Sequence, residues 1–398
     1  MICKITKEKI KPFMSFGKMP IANGFLKKNS FKKEFFFNLE VGFSTKLSLF
    51  QINDHPKPEQ MFNKNYPFFT GSSKGMIKHF EDYSKWIKNN YGKDLRRLIE
   101  IGSNDGTFLR NFNKKKVKVI GFEPSSNVAN ISRKKGIKTI NSFFNYTNVK
   151  NLKTIQKKID IISGANVICH VPDLKDLIKA VDFLLSNNGF FIFEEPYLGS
   201  MYEKVSYDQI YDEHIYIFSV SSVNKIFKKF GFELIDAIPQ STHGGSMRYV
   251  ISRKGTKKVK DRVKKLLSKE KAKNIDNIKG CKEFKKNCER SKKNLLEKIN
   301  KYKKNNKIIA GYGATSKSTT IMNYCGINND DVRFICDTTP EKIGKYTPGT
   351  HIPIVSMKYF YSNLPDAIFL FAWNHKKEIF RKEKKIKKRA NWFAHVKL

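Results

Sequence analysis

What the chain lacks narrows it first. Its six cysteines, Cys3, Cys169, Cys281, Cys288, Cys325 and Cys336, include no C-x-x-C pair. The spacing therefore offers neither a disulfide framework nor a zinc knuckle and suits reduced thiols in a cytoplasm. No run approaches the ~20 apolar residues of a membrane span, and the opening Met-Ile-Cys-Lys-Ile-Thr-Lys has no secretion-signal core. A soluble, cytoplasmic protein is expected. Acidic residues are scarce, 36 against 77 Lys and Arg, giving a formal charge of +41. Such an excess attracts phosphates. The lysines are nevertheless scattered over every segment, without a nucleic-acid signature or basic–aromatic interleaving. They read as solvated surface: neither nucleic acid nor membrane is expected as a partner, and phosphorylated small molecules stay open.

What is present is ample apolar material, 40% of residues including 33 Phe. At 398 residues the chain exceeds one ordinary core, so two or three domains are expected. Residues 1–75 are short apolar pieces broken by Pro, Gly and Asn, a small irregular or β-rich module. Regular alternation follows over 76–253, with strands expected at 98–101, 117–122, 137–140, 159–163, 190–193, 232–238 and 247–251. Helices are expected at 107–112, 125–135, 174–185 and 220–230. That pattern is a doubly wound, mostly parallel α/β sheet. Residues 254–306 read as a Lys-rich helical connector. A second α/β unit spans 307–398, with strands at 308–311, 334–337, 367–373 and 392–396 and a helix at 316–325.

Five constellations carry chemistry. The first is Glu100-Ile-Gly102-Ser-Asn104-Asp105-Gly106, which closes one strand and opens a helix. Its glycines would let a ligand approach the backbone, and Glu123 at the next strand end can accept from ribose hydroxyls. The loop departs from the dinucleotide pattern G-x-G-x-x-G by carrying an acid. Asp105 would repel a pyrophosphate but suits the cationic S-adenosylmethionine. The second is Asn166 to His170, at the carboxyl end of the 159–163 strand and facing the same crevice. The third is Tyr211-Asp-Glu213-His214, where an imidazole beside a carboxylate and a phenol can move protons near neutrality. No ligand pair of suitable spacing accompanies these residues, so no metal is expected. The fourth is His243-Gly-Gly-Ser-Met-Arg248, with Arg248 free to pair with phosphate or carboxylate. The fifth, Gly311-Tyr-Gly-Ala-Thr-Ser316-Lys317, lacks an acid and offers the donors a diphosphate wants.

Taken together, EIGSNDGTFL, ANVICHVPDL, YDEHIYIFS, HGGSMR, GYGATSKSTTIMNYCGI and FAWNHKKEI occur in an order that resembles the S-adenosylmethionine-dependent C-methyltransferases of deoxysugar biosynthesis. The resemblance runs over nearly the whole chain. It implies a small N-terminal module, a central class I Rossmann-like methyltransferase domain and a C-terminal Rossmann-like α/β domain. The acceptor it implies is a nucleotide-linked 4-keto-hexose, methylated beside the ketone and often at C3, by a monomer or homodimer. His214 would be the base, Tyr211 and Glu213 would place it or touch the sugar, and His170 and His243 would assist. Tyr66 would reach cofactor and sugar, with Phe68 at its partner's position. Methylation of oxygen or nitrogen, or binding by degenerate sites, are the competing readings. One departure matters. The family's two C-x-x-C pairs, which hold a structural zinc, are here Cys3 with Thr6 and Ser44 with Leu47. One thiolate cannot build a tetrahedral site, so zinc is not expected, with packing among Phe35, Phe36, Phe37, Leu39 and Phe43 in its place.

Overall fold

A computed structural model describes residues 1–64, 66–113 and 115–398. Its strands fall into three sheets. The first contains β1 (Pro12–Pro20), β2 (Phe36–Ser44) and β3 (Leu49–Ile52), all antiparallel neighbours. The second contains β4 (Arg97–Ile101), β5 (Lys118–Phe122), β6 (Thr139–Ile140), β7 (Ile159–Ala165) and β8 (Leu185–Pro196). The two-residue β9 (Tyr216–Ile217) leaves this central region to pair with β3, so the N-terminal sheet is completed by the segment just after His214. β10 (Phe232–Gln240) and β11 (Ser246–Arg253) return to the second sheet.

Its order is β10-β11-β8-β7-β4-β5-β6. The five strands β4 to β8 run parallel, and β11 is inserted antiparallel between β8 and β10. Leu98, Ile99, Ile161 and Ile162 are buried as a parallel strand covered on both faces demands. The third sheet, β14-β13-β12-β15-β16, is wholly parallel. It is built of β12 (Ile309–Tyr312), β13 (Ile335–Cys336), β14 (Ile354–Val355), β15 (Ala367–Leu370) and β16 (Asn391–Phe393). The chain is thus two Rossmann-like α/β units with a small β module, as the alternation implied.

Helix ends follow local chemistry. Asp173 accepts from the backbone N–H groups of Lys175 and Asp176 to start helix Leu174–Leu184. Thr315 and Ser318 form a capping box that starts helix Ser316–Cys325, and Gly326 (φ 72°) ends it in the left-handed region. The connector is two helices, Asp261–Ala272 and Ile278–Lys304. Among the described residues no helix is long and apolar enough to cross a membrane.

Some expectations need correction. The helix expected at 107–112 is only a 3-10 turn over Leu109–Asn111. No side chain caps that turn, and the Thr107 hydroxyl donates instead to Asp105. The strand expected at 367–373 stops at Leu370, where the chain turns toward the central domain. β14 is two residues long, too short for a strand period to mark it. In the N-terminal module Phe37, Leu39 and Phe43 are buried, whereas Phe35 and Phe36 are exposed (46% and 42%) and cannot replace a metal. Cys3, Ile5, Leu47 and Leu49 are buried in the same core.

Candidate active site

The loop after β4 makes the first half of the site. Gly102, Asn104 and Gly106 all have positive φ (63°, 49° and 76°). A Cβ on Gly102 would lie 2.6 Å from Val167, and one on Gly106 would lie 2.8 Å from Ser132. Close packing of the loop, more than ligand approach, therefore demands these glycines. The Asn104 N–H donates to Glu123 at 3.0 Å, and the Ser125 N–H donates to its other oxygen at 2.8 Å. Burial raises the pKa of Glu123, and raises that of Glu100 well above its ordinary value.

Asp105 differs from expectation. It accepts from Thr107 (2.6 Å), from the Gly71 N–H (3.1 Å) and from Lys135 (2.9 Å). Burial raises its pKa, but the hydroxyl and ammonium bonds outweigh that and hold it below the usual range. Lys135 neutralises its charge, so Asp105 is a girder of the loop and offers no free negative charge to a sulfonium. The same loop ties down the segment before it. The Thr70 N–H donates to Asn104 at 2.8 Å, Asn104 donates to the carbonyl of Phe68, and Asn127 donates to the carbonyl of Tyr66 at 3.0 Å.

Whether these residues suit S-adenosylmethionine can be judged from polar atoms left without partners. Glu100 Oε2, Ser103 Oγ, Ser125 Oγ, Asn127 Oδ1 and Asn166 Oδ1 are buried and unbonded. They come from the carboxyl ends of β4, β5 and β7, where a doubly wound sheet takes its ligand. Unsatisfied groups at these strand ends are what a ligand with ribose hydroxyls and an amino-acid end would satisfy. The donor set fits.

The second half is a histidine cluster. His214 Nδ1 lies 2.7 Å from the carbonyl oxygen of Gln209, and its Nε2 lies 2.9 Å from the Tyr211 hydroxyl. Its ring stacks on that of His170 at 5.4 Å, and His170 stacks on Phe62 at 5.6 Å. Phe62 in turn meets Tyr66 at 5.5 Å. Tyr66 feels the charges of both Glu213 and Glu123, with burial the larger cause of its raised pKa. A continuous wall thus runs from the first crevice to His214. Burial drives the pKa of His214 well below its ordinary value, helped by His170, and burial alone lowers that of His170 to about 3. Asp212 and Glu213 are buried side by side; Asp212 accepts from the Ala22 N–H (3.0 Å) and Glu213 from Asn23 (2.7 Å). Desolvation raises both carboxyls, so the pair keeps a proton near neutrality.

The remaining expected residues divide. Asn166 Nδ2 meets His243 Nε2 at 3.0 Å, and Lys317 Nζ reaches the His243 carbonyl at 3.3 Å. Lys317 is buried, 5.0 Å over the Trp373 ring, and its charge is felt by His214. Ser316 starts the same helix. Arg248 is a correction. Its guanidinium pairs with Glu194 at 2.5 Å, is buried, and stacks over Tyr83 (4.1 Å) and Trp86 (4.4 Å). No face is left for a phosphate, because the antiparallel register puts Arg248 opposite Glu194.

Sequence reasoning missed several members. Glu195 accepts from the N–H groups of Val167 and Ile168, fixing the loop that carries His170, and burial pushes it up to about 7. Asn23, Phe62 and Asp208 join from distant segments. Asp208 accepts from Trp373 Nε1 at 2.7 Å. Only an acid in the Tyr207–His214 run signalled Asp208; nothing local signalled the others.

Three families match successive stretches of this chain. Residues 3–62 match a family described as "Putative zinc binding domain", 76–237 one described as "Methyltransferase domain", and 241–396 one described as "C-methyltransferase C-terminal domain". The chain is thus similar to C-methyltransferases in its C-terminal stretch and to methyltransferases in its central one. It is an S-adenosylmethionine-dependent enzyme that transfers methyl to carbon. This C-methyltransferase is 28% identical over 374 residues to C-methyltransferase NovU of Streptomyces niveus, covering 93% of this chain and 89% of that protein. Solved structures similar to it include the PH0226 protein of Pyrococcus horikoshii OT3, at 14% identity and TM-score 0.38, covering 47% of this chain and 95% of that one. Another is magnesium protoporphyrin IX methyltransferase of Synechocystis PCC 6803, solved with bound SAH, at 13% identity and TM-score 0.35 over 45% and 84% of the chains.

Zinc does not suit the N-terminal module. The Thr6 N–H meets Cys3 Sγ at 3.4 Å, and the Leu47 N–H meets Ser44 Oγ at 3.4 Å. These are the N–H contacts of two metal knuckles, kept with a single sulfur. Ser44 Oγ donates instead to Glu8 at 2.5 Å, and Glu8 pairs with Lys46 at 3.2 Å. Among the described residues the one His/Cys/acid cluster of metal-binding size is Cys169, His170 and His214, inside the active site.

Proposed function

We propose that this C-methyltransferase acts on a nucleotide-linked 4-keto-deoxysugar, methylating the carbon beside the ketone at C3, in the cytoplasm and without zinc. The observation that carries the reading is the hydrogen bond of His214 to Gln209. A carbonyl oxygen only accepts, so Nδ1 holds the ring proton and Nε2 keeps its lone pair. Burial keeps that imidazole neutral at working pH. Nε2 takes the proton from the carbon beside the ketone, and the C–H electron pair becomes an enolate. Charge then grows on the ketone oxygen, where Glu213, which shares a proton with Asp212 near neutrality, would donate. Before substrate binds, the Tyr211 hydroxyl donates to that Nε2 lone pair at 2.9 Å and must turn aside for Nε2 to take the proton, while the stacked His170 limits rotation of the ring. When bound, S-adenosylmethionine supplies the electrophilic methyl group for the resulting carbanion. Glu100, Asn104, Glu123, Asn166 and Tyr66 would hold it. His243, Ser316 and Lys317 would meet the diphosphate, Lys317 and His243 already lying together at 3.3 Å.

The test is incubation with methyl-labelled S-adenosylmethionine and a panel of 4-keto nucleotide sugars, read by mass spectrometry. Deuterium loss from C3 is followed in the same samples. Loss that persists unchanged in His214→Ala overturns the base assignment, and no labelled sugar from any panel member overturns the substrate class.

A further inference from the structure

The Gln209 carbonyl that accepts from His214 Nδ1 ends a single 3-10 turn, Tyr207–Gln209. Within it the Gln209 N–H donates to the Ser206 carbonyl at 3.2 Å, and the Ile210 N–H donates to that of Tyr207 at 3.1 Å. One such turn, with its poor hydrogen-bond geometry, does not aim a carbonyl by itself. The residues on either side of Gln209 are held from elsewhere. Trp373 Nε1, in the turn after β15, donates to Asp208 Oδ2 at 2.7 Å. Thr320 Oγ1, on helix Ser316–Cys325, donates to the Ile210 carbonyl at 3.1 Å. Tyr207 packs edge-on against His395 (5.1 Å) and Tyr324 (5.4 Å). Tyr207, Asp208, Gln209 and Ile210 are all fully buried.

The Tyr211 hydroxyl on the other ring nitrogen does not choose the tautomer, because a phenol can donate or accept. The carbonyl does choose, because it only accepts, and the partner of one ring nitrogen decides where a neutral imidazole keeps its proton. With the carbonyl turned away, Nε2 could carry the proton and donate it to Tyr211, and no lone pair would be left there for a base. The grip on this turn is strong as well as two-sided. Burial raises the pKa of Asp208, but His395, Lys317 and the Trp373 N–H together hold it below the usual range. The indole therefore donates to a carboxylate, and such charge-assisted bonds are about twice as strong as neutral ones. His395 Nε2 lies 3.2 Å from the other oxygen. Trp373, Thr320, Tyr324 and His395 all belong to the third sheet's unit, whereas the turn and His214 belong to the central one.

We infer that the C-terminal Rossmann-like unit sets the tautomer of His214: Trp373 and Thr320, by holding Asp208 and Ile210, aim the Gln209 carbonyl between them at Nδ1. Asp208 is thereby a positioning residue, acting on the reaction through Gln209 and His214 without touching the acceptor. The catalytic consequence rests on His214 being the base, as read above. Two contacts from separate parts of the C-terminal unit are needed, one on each side of the carbonyl, so the base keeps its lone pair toward the acceptor only while that unit is docked on the central one.

Nitrogen-15 NMR of the intact, histidine-labelled chain near neutrality tests it, because the two neutral tautomers differ in their ring nitrogen shifts. The His214 signals are assigned by their loss in His214→Ala. The variants are Thr320→Val, Trp373→Phe and the two together. Thr319→Val is the control: it removes a bond of the same helix, from Thr319 Oγ1 to the Ala22 carbonyl at 2.9 Å, that does not touch the turn. The native chain and the control are expected to show the proton on Nδ1, and the double variant to show a mixture or the proton on Nε2. In parallel, kcat should fall roughly three- to tenfold in each single variant, the effect of one hydrogen bond, and further in the double, with KM for the acceptor held. Asp208→Leu should behave like Trp373→Phe, and Asp208→Asn, which keeps an oxygen for the indole, should restore the native tautomer. If Trp373→Phe does not fold, Thr320→Val and the Asp208 pair decide. An Nδ1 proton unmoved in every variant, or moved equally by Thr319→Val, overturns the inference and leaves the base assignment standing. A tautomer that moves while deuterium loss from the acceptor carbon does not keeps the positioning role and removes His214 as the base.

Discussion

Lys317 Nζ lies 3.3 Å from the carbonyl oxygen of His243, so a side chain of the helix after β12 closes on the turn between β10 and β11. Burial lowers its pKa, and the negative Asp208 offsets part of that. Replacing it by Met keeps the volume and removes the charge. KM for a diphosphate-bearing acceptor should rise roughly ten- to a hundredfold in Lys317→Met, with the affinity for S-adenosylmethionine unchanged. Steady-state kinetics checks this.

His214→Ala should lower kcat by about 10² to 10⁴ fold, the usual worth of a positioned general base. Tyr211→Phe keeps the ring stack and removes one hydroxyl. Its kcat should fall by up to about tenfold, the effect of one hydrogen bond. Deuterium exchange at the acceptor carbon should fall in parallel with kcat in both.

The pH dependence follows from signs. His170 binds its proton less readily folded than unfolded, so its stabilising contribution is present above about pH 6.5 and is lost as pH falls toward about 3. Between pH 7 and pH 5 the native chain should lose roughly 2 kcal/mol more than His170→Asn does, read as a steeper fall in Tm. Glu213 is shifted the other way, so its contribution is present below the ordinary carboxylate range and is lost as pH rises through neutrality. Glu213→Gln should therefore narrow its stability gap to the native chain, or pass it, in alkaline solution. In activity, a neutral base and a protonated acid give a kcat/KM profile whose acid limb lies below that of free imidazole.

Metal analysis should find no stoichiometric zinc, and a chelator should leave Tm unchanged. Because the Cys3–Thr6 and Ser44–Leu47 contacts keep the backbone of two knuckles, Thr6→Cys, Ser44→Cys and Leu47→Cys together should create a site for a single zinc ion. Stoichiometric zinc in the native chain would overturn this.

Gly102→Ala forces a left-handed alanine against Val167 at 2.6 Å. It should destabilise the fold by roughly 1–3 kcal/mol and loosen the loop that holds Asn104 and Glu123. Chemical denaturation against Gly231→Ala, where φ is also positive but nothing lies within 4 Å, separates the clash from the backbone strain.

The sequence by itself determined the periodic parts. Alternating apolar strands and amphipathic helices fix two Rossmann-like units, because strand and helix periods are local properties of the chain. It determined the clusters that lie within a few residues of one another, such as Tyr211 with His214 and Thr315 with Ser318. Tertiary structure decided which charges are free. Asp105 and Arg248 looked like ligand contacts, yet Lys135 and Glu194, 30 and 54 residues away, neutralise them. It also decided the tautomer of His214, through the Gln209 carbonyl, and brought Asn23, Phe62 and Trp373 to the site from three separate segments. Charge pairing and hydrogen bonding act through space over a few ångströms, and which distant residues come that close is set only when the sheets pack.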